Sequence, residues 1–414
     1  MRGSRVIARF AACARAIALL LLLPNISHAG GFALNEWGAR ANAMGGAMIG
    51  LADDASAVAY NPAGITQLQG TQTMIGATAI APKGEVTAGN QATTTTRTNI
   101  YLPPHVFLTH QLNDKVWLGM GMYTRFGVGT EYLQDWGGTT KVYKAEIASY
   151  SFTPNLAVKL TDDLSLALGL DVMYSAADLR QKVNLSPALD LRMTVDGIGV
   201  GGQAALHYKL NEQWSAGLVY RTSQLHRDTG KARYVYDNAA VSRRDDTLAI
   251  SLTLPSSYSA GIAYKPTDKI KVEADAIYTQ WGDYKKLTYS FSASPTTNAA
   301  GDVVKEKDWK NVWRLQLGGE YKYTDWLALR AGVVWDQDPI RDGFVDYMLP
   351  SNDRWIYSTG FGITHGDFTY DFSVMYLQNQ NRNIDYNSNL ISGGPSSFTN
   401  SRAYMAGFSL GYKF

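Results

Sequence analysis

The twelve residues at the end of this chain restrict its fold more than any other stretch. From Ala403 to Phe414, Tyr404, Ala406, Phe408, Leu410, Tyr412 and Phe414 fall on one face. Ala403, Met405, Gly407, Ser409, Gly411 and Lys413 fall on the other. A strict period of two describes a strand whose faces meet different surroundings. The same alternation recurs at 164–174, 270–278, 313–323 and 327–336, with leucine, valine or aromatic residues against lysine, glutamate, aspartate or glycine. A soluble sandwich also alternates, but its strands average about 5–6 residues. These runs are near the roughly 9–11 residues a tilted strand needs to cross a bilayer.

A last strand that stops on Phe414 resembles the closing strand of bacterial outer-membrane barrels. The N-terminus is consistent with that destination. Arg2, Arg5, Arg9 and Arg15 precede an apolar run, Ala16 to Leu23, that Pro24 interrupts. Ser27-His28-Ala29 offers small residues where a signal peptidase cuts, and the run is too short to span a membrane as a helix. Residues 1–29 are thus read as a secretory signal that is removed. Cleavage after Ala29 removes Cys13, the only cysteine, so the mature chain has no disulfide framework. It also removes four arginines and no acids, which takes the formal charge from +2 to −2. A near-neutral chain gives no sign of a nucleic-acid partner. Mean hydropathy is slightly negative, as a barrel with one lipid-facing and one polar face allows. Twenty-five tyrosines and ten tryptophans suit the aromatic girdles of such barrels.

Short polar turns (113–114, 161–163, 211–212, 266–268, 324–325, 365–367) alternate with longer polar segments (83–99, 129–140, 184–190, 228–246, 294–306, 341–350, 387–399). Short periplasmic turns and long outer loops produce that rhythm. The spacing predicts fourteen strands over residues 71–414, an all-β, 14-stranded antiparallel transmembrane β-barrel in the outer membrane that the chain crosses many times. Residues 30–70 break the pattern. They are rich in Gly and Ala and suit a hatch, or plug, inside the lumen, with a short helix near 40–52, Asp53 or Asp54 capping another, and a stop at Asn61-Pro62-Ala63. A wide barrel leaks without a plug.

Gly31-Phe32-Ala33-Leu34-Asn35-Glu36, Ala52-Asp53-Asp54-Ala55 and Tyr60-Asn61-Pro62-Ala63 resemble the hatch of FadL-type long-chain fatty-acid transporters. Arg125 to Tyr132 resembles the third strand of that family. The resemblance covers the mature chain and implies a monomeric, fourteen-stranded barrel that passes hydrophobic small molecules without a cofactor. Cargo would enter from outside, settle in a lumen pocket and leave sideways into outer-membrane lipid. By resemblance, Phe32 reaches into the pocket, Asn61, Pro62 and Ala63 sit against a gap in the third strand, and Arg180 and Lys310 hold a carboxylate head. The residues themselves leave alternatives. Gly127 and Gly129 fit a lateral exit or a turn at the strand end. A lumen Arg or Lys also fits simple pairing with Glu320 or Asp336. The segment after the fifth strand, near 184–190, is short, so the outer capture groove is expected to be smaller and the cargo to include aromatic hydrocarbons as an alternative to fatty acids. A polar porin or an outer-membrane hydrolase fits less well: the five mature histidines, His105, His110, His207, His226 and His365, lie in no nucleophile motif, so no enzyme is expected. Asp336-Gln337-Asp338 is too short for a calcium loop, so no metal is expected.

Overall fold

The computed structural model describes residues 31–184, 189–236, 244–292, 300–385, 387–391 and 394–414. The expected leader lies outside the described residues. Among them fourteen antiparallel strands form one closed barrel. β1 is Thr71–Thr87, β2 Pro104–Gln111, β4 Lys144–Lys159, β5 Leu164–Val183 and β6 Leu189–Lys209. β3 has two pieces, Val116–Tyr123 and Gly127–Glu131. So do β7 (Trp214–Arg221, Gln224–Tyr236), β8 (Arg244–Leu254, Ser257–Thr267), β9 (Ile270–Thr279, Lys286–Phe291) and β10 (Gly301–Glu306, Val312–Lys322). β11 is Leu327–Asp336, β12 Arg354–His365, β13 Phe368–Asn379 with Arg382–Ile384, and β14 Ser396–Lys413. β14 pairs with β1 from Gln72↔Lys413 to Thr87↔Ser397, which closes the cylinder.

Period two decides what each face meets. On β5, Ser165, Ala167, Asp171, Met173 and Ser175 are buried toward the lumen, while Leu168, Leu170 and Tyr174 are exposed on the outside. Two expected outer loops are shorter than their composition suggests. Much of 228–246 is strand, because Asp228, Ala232 and Tyr234 face inward between exposed Arg227, Thr229 and Lys231. Charge there marks strands that rise beyond the lipid, not the end of pairing. Part of 294–306 is likewise strand.

Residues 31–70 lie inside the barrel as α1 (Ala39–Ala43), α2 (Ala57–Tyr60) and a 3-10 turn over Pro62–Gln67. The helix expected over 40–52 is only five residues long. Gly45 and Gly46, at φ 70° and 84°, turn the chain out of it. Asp54 accepts from Ser56 N (2.8 Å) just before α2, whereas Asp53 is drawn away to cations.

Wall carboxylates hold this segment. Asp275 on β9 accepts from Met48 N and Ile49 N at 3.0 and 3.2 Å. Glu273, two residues away on the same face, accepts from Gly50 N and from Leu51 N. Gly50 lies so close to the β8 backbone that a Cβ would come within 2.9 Å of Ala263 N. Nearer the periplasm, Arg40 bridges Asp53 (2.7 Å), Asp54 (2.9 Å) and Glu320 on β10 (2.9 Å). Lys271 joins Asp53 and Glu320, and Arg330 joins Glu320 and Asp371. Burial pushes the Asp53 carboxyl up, but Arg40, Lys271 and Lys265 outweigh it and hold the group well below the ordinary carboxylate range.

Candidate functional site

The wall is incomplete beside the outer piece of β3. The β2–β3 ladder ends at Val106↔Met122, and Gly127–Glu131 pairs only with β4. Register explains the break. Continuing the ladder would set Pro104 opposite Thr124, where the N–H that should reach β3 is the one proline lacks. The hatch N-terminus takes up part of the unpaired edge: Gly127 N donates to Phe32 O (3.0 Å) and Leu34 N to Arg125 O (2.8 Å). What is left is a cavity of about 430 Å³. Phe32 and Leu34 line its inner side. Ile100 and Leu102, 67% and 63% exposed, line its outer side together with Tyr150. The opening therefore joins lumen residues to residues that face lipid.

A smaller cavity, about 70 Å³, lies deeper in the lumen. Its walls are mostly apolar, including Met173, Leu179, Val195, Ile250 and Leu254. Phe32 lines both cavities. Its ring is 4.8 Å from Trp281, 5.7 Å from Phe126, 5.8 Å from Trp309 and 6.1 Å from Tyr284, so four aromatic residues cage it between pocket and opening.

The other residues expected at the site are distributed differently. Gly127 and Gly129 do flank the opening: Leu34 lies 3.1 Å from where a Gly127 Cβ would stand, and the Tyr101 ring covers Gly129. Asn61 does not sit against it. Its amide donates to Ile49 O (2.8 Å) and to Leu206 O of β6 (3.0 Å), and its Oδ1 accepts from Ala63 N. Pro62 and Ala63 open the buried 3-10 turn below it. Val58 and Ile65 pack against β3 at Gly119 and Gly121, below the break. Arg180 is outside the lumen. It shares parity with Tyr174, so it stands on the outer face of β5, paired with Asp178 at 2.7 Å. Lys310 does not line the cavity either. Positive φ at Asp308 (36°) turns the chain between the two pieces of β10, and Lys310 N donates to Pro339 O. The cation in the cavity wall is Lys307, 2.6 Å from Asp346 with both side chains nearly buried. Its place two residues before Trp309, on the inward parity, was the available signal.

Asp346 lies in the outer connection between β11 and β12. Burial pushes its carboxyl up, but Lys307 and then Lys305 prevail and lower it. A depressed carboxylate stabilises the fold above its unfolded value, near 3.8, and that contribution disappears as pH falls through the folded value. Below about pH 4 the outer connection should open first, seen as faster protease cleavage near Asp346 while the barrel stays folded. Lys307→Met should bring that cleavage to neutral pH, since stranding a buried charge costs about 3–5 kcal/mol.

Ser175, His226 and Asp228 also converge on this cavity, a grouping the sequence did not reveal because they come from two strands. Ser175 Oγ lies 2.9 Å from His226 Nδ1 and donates to Asp228 Oδ2 at 2.6 Å. In a hydrolase triad the acid and the serine engage opposite ring nitrogens. Here both face Nδ1, and Nε2 reaches only Gln224, at 3.5 Å, so the geometry is that of a polar patch. His110 is exposed and bonded to Thr71. Among the described residues no group of three or more His, Cys, Asp or Glu is disposed to hold a metal.

A closed barrel with an internal segment and a side opening defines an outer-membrane β-barrel of the plugged type. A family model described as outer membrane protein transport protein (OMPP1/FadL/TodX) matches residues 20–414, and the chain belongs to that family. It is 25% identical over 427 residues to the long-chain fatty acid transport protein of Salmonella typhi, covering 93% of this chain and 94% of the relative. It is 26% identical over 394 residues to outer membrane protein P1 of Haemophilus influenzae, covering 82% and 84%. Among solved structures, a Pseudomonas aeruginosa FadL homologue superposes with TM-score 0.83 at 18% identity, covering 93% of this chain and 100% of that one. The Pseudomonas putida toluene transporter TodX superposes with TM-score 0.74 at 18% identity, covering 91% and 98%.

Proposed function

We propose that this barrel carries hydrophobic small molecules passively across the outer membrane as a monomer, through the lumen pocket and out of the side opening at β3. The observation that carries this reading is Phe32, which lines both cavities. A water-filled exit would expose apolar cargo at roughly 25 cal/mol per Å², whereas the side opening leads from an aromatic cage to lipid-facing Ile100 and Leu102. Long-chain fatty acids are the first substrate class, on the strength of the Salmonella typhi relative. Neutral aromatic hydrocarbons are the second, because Lys307 is already neutralised by Asp346 and the cage around Phe32 is aromatic.

Cells expressing the protein should take up labelled palmitate or labelled toluene faster than cells without it, and the faster of the two identifies the class. Equal rates with and without the protein for both would remove the reading. Phe32→Ala should weaken retention of the transported ligand by the purified protein about tenfold, through lost ring contacts. Unchanged retention would take Phe32 out of the pathway.

A further inference from the structure

Outside the barrel, four cations stand directly opposite one another on adjacent strands. Lys144 on β4 pairs in register with Arg180 on β5, Arg180 with Arg192 on β6, and Arg192 with Arg233 on β7. Residues directly opposite share a face, and this is the face of Tyr150, Tyr174 and Ile198, which are in register with one another and exposed. The lipid-facing run on β5 from Leu164 to Tyr174 covers about 25 Å of membrane thickness at the usual rise and tilt. Arg180 lies six residues further on, about 15 Å beyond Tyr174. That is headgroup depth for long side chains that reach back toward the membrane.

Like charges directly opposite one another are unfavourable, and the carboxylates here do not balance them. Asp178 is shared by Lys144 (3.2 Å), Arg180 (2.7 Å) and Arg192 (3.2 Å). Glu146 meets Lys144 at 2.6 Å, and Asp245 reaches Arg233 only at 3.7 Å. Four cations thus face three carboxylates; nearer the lipid, exposed Lys231, in register with Thr194, and exposed Asp196, in register with Thr229, add one charge of each sign. Other strands present a different rim at their outer ends: Trp335 pairs with Trp355, and Trp355 with Gln378.

We propose that this row binds the phosphate groups of an outer-leaflet glycolipid, lipopolysaccharide, and fixes one such molecule against β4–β7. Guanidinium groups match phosphate with paired N–H donors, and clustered Lys and Arg at a membrane surface recognise anionic headgroups. The lipid's acyl chains would lie along the Leu168–Tyr174 face while its phosphates complete the charge of the row. Because β4 also carries the outer piece of β3, the bound lipid would stand beside the side opening.

The protein extracted from its own outer membrane should retain lipopolysaccharide through detergent washing, measured by mass spectrometry of the purified complex. Arg180→Gln, Arg192→Gln and Arg233→Gln together should lower the apparent affinity for added purified lipopolysaccharide about a hundredfold. Heat-dependent gel migration would show that the variant barrel is folded. Lys209→Gln with Lys322→Gln, at the periplasmic turns beside Glu212 and Asp325, should leave retention unchanged. Undiminished binding by the triple variant, or an equal loss in the Lys209 and Lys322 variant, would overturn the assignment to this row. Inorganic phosphate at the lipid's concentration should displace none of it, and displacement would overturn the assignment to lipid.

Discussion

Alanine at Glu273 and Asp275 should turn a silent barrel into a conducting one. The four consecutive backbone N–H groups from Met48 to Leu51 have these two carboxylates as their acceptors. Each buried donor left without a partner costs roughly 1–3 kcal/mol, so the segment would exchange the wall for water. Arg40 would still tie it to Glu320, and adding Arg40→Ala removes that second anchor. In planar bilayers the pair of alanines should give flickering current and the triple variant steady current, where the unaltered protein gives none. Gln at 273 with Asn at 275 keeps acceptor oxygens in place and should remain closed. Heat-dependent gel migration should show a folded barrel in every case, because the β1–β14 ladder is untouched. A triple variant that stays silent would mean that the segment is held by its packing alone, and the charge network would lose its assigned role.

The division of labour between legible and illegible features follows from distance along the chain. Strand number could be read because a bilayer imposes length and lipid imposes period two, and both are local. The plug could be read because its small residues break that period. Its anchors were visible only as two charges, Glu273 and Asp275, in an otherwise ordinary strand; nothing in the sequence says that residues 48–51 meet them across more than two hundred positions. Arg180 and Lys310 were misplaced for a related reason. Which face a residue takes depends on counting by two from a fixed point, and the count fails wherever a strand is interrupted, as between Glu306 and Val312. For Arg180 the count from Tyr174 was available, and it places the side chain outside. The cluster of Ser175, His226 and Asp228 joins β5 and β7 across the intervening β6, where Gly197 and Gly199 leave room for Asp228 and His226.

The break beside β3 was attributed to glycine, yet the structure gives the larger part to proline, and the second major prediction depends on that difference. Gly127 and Gly129 leave room in the wall, but room alone does not remove a ladder. Pro104 does, since it stands opposite Thr124 on the side that faces β3 and has no N–H. Pro103 turns its carbonyl to Thr78 N on β1, at 3.1 Å, which keeps this stretch of chain on the β1 side of the opening. Valine at both positions favours an extended backbone, and at 104 it restores a donor on the side that faces β3. The β2–β3 ladder should then lengthen past Val106↔Met122 and compete with Phe32 and Leu34 for the unpaired edge. Uptake of hydrophobic cargo should fall to near the level of cells lacking the protein, while the barrel resists heat at least as well as before. Pro104→Val alone should cause most of that fall, because it restores the donor on the β3 side, whereas Pro103→Val, whose N–H would face β1, should cause little. Gly127→Ala would separate the two causes: it adds a methyl against Leu34 without adding a donor, so it should reduce uptake less than the proline pair. If the doubly substituted barrel transports at the original rate, cargo does not leave through this wall, and the opening at β3 is a seat for the hatch N-terminus only.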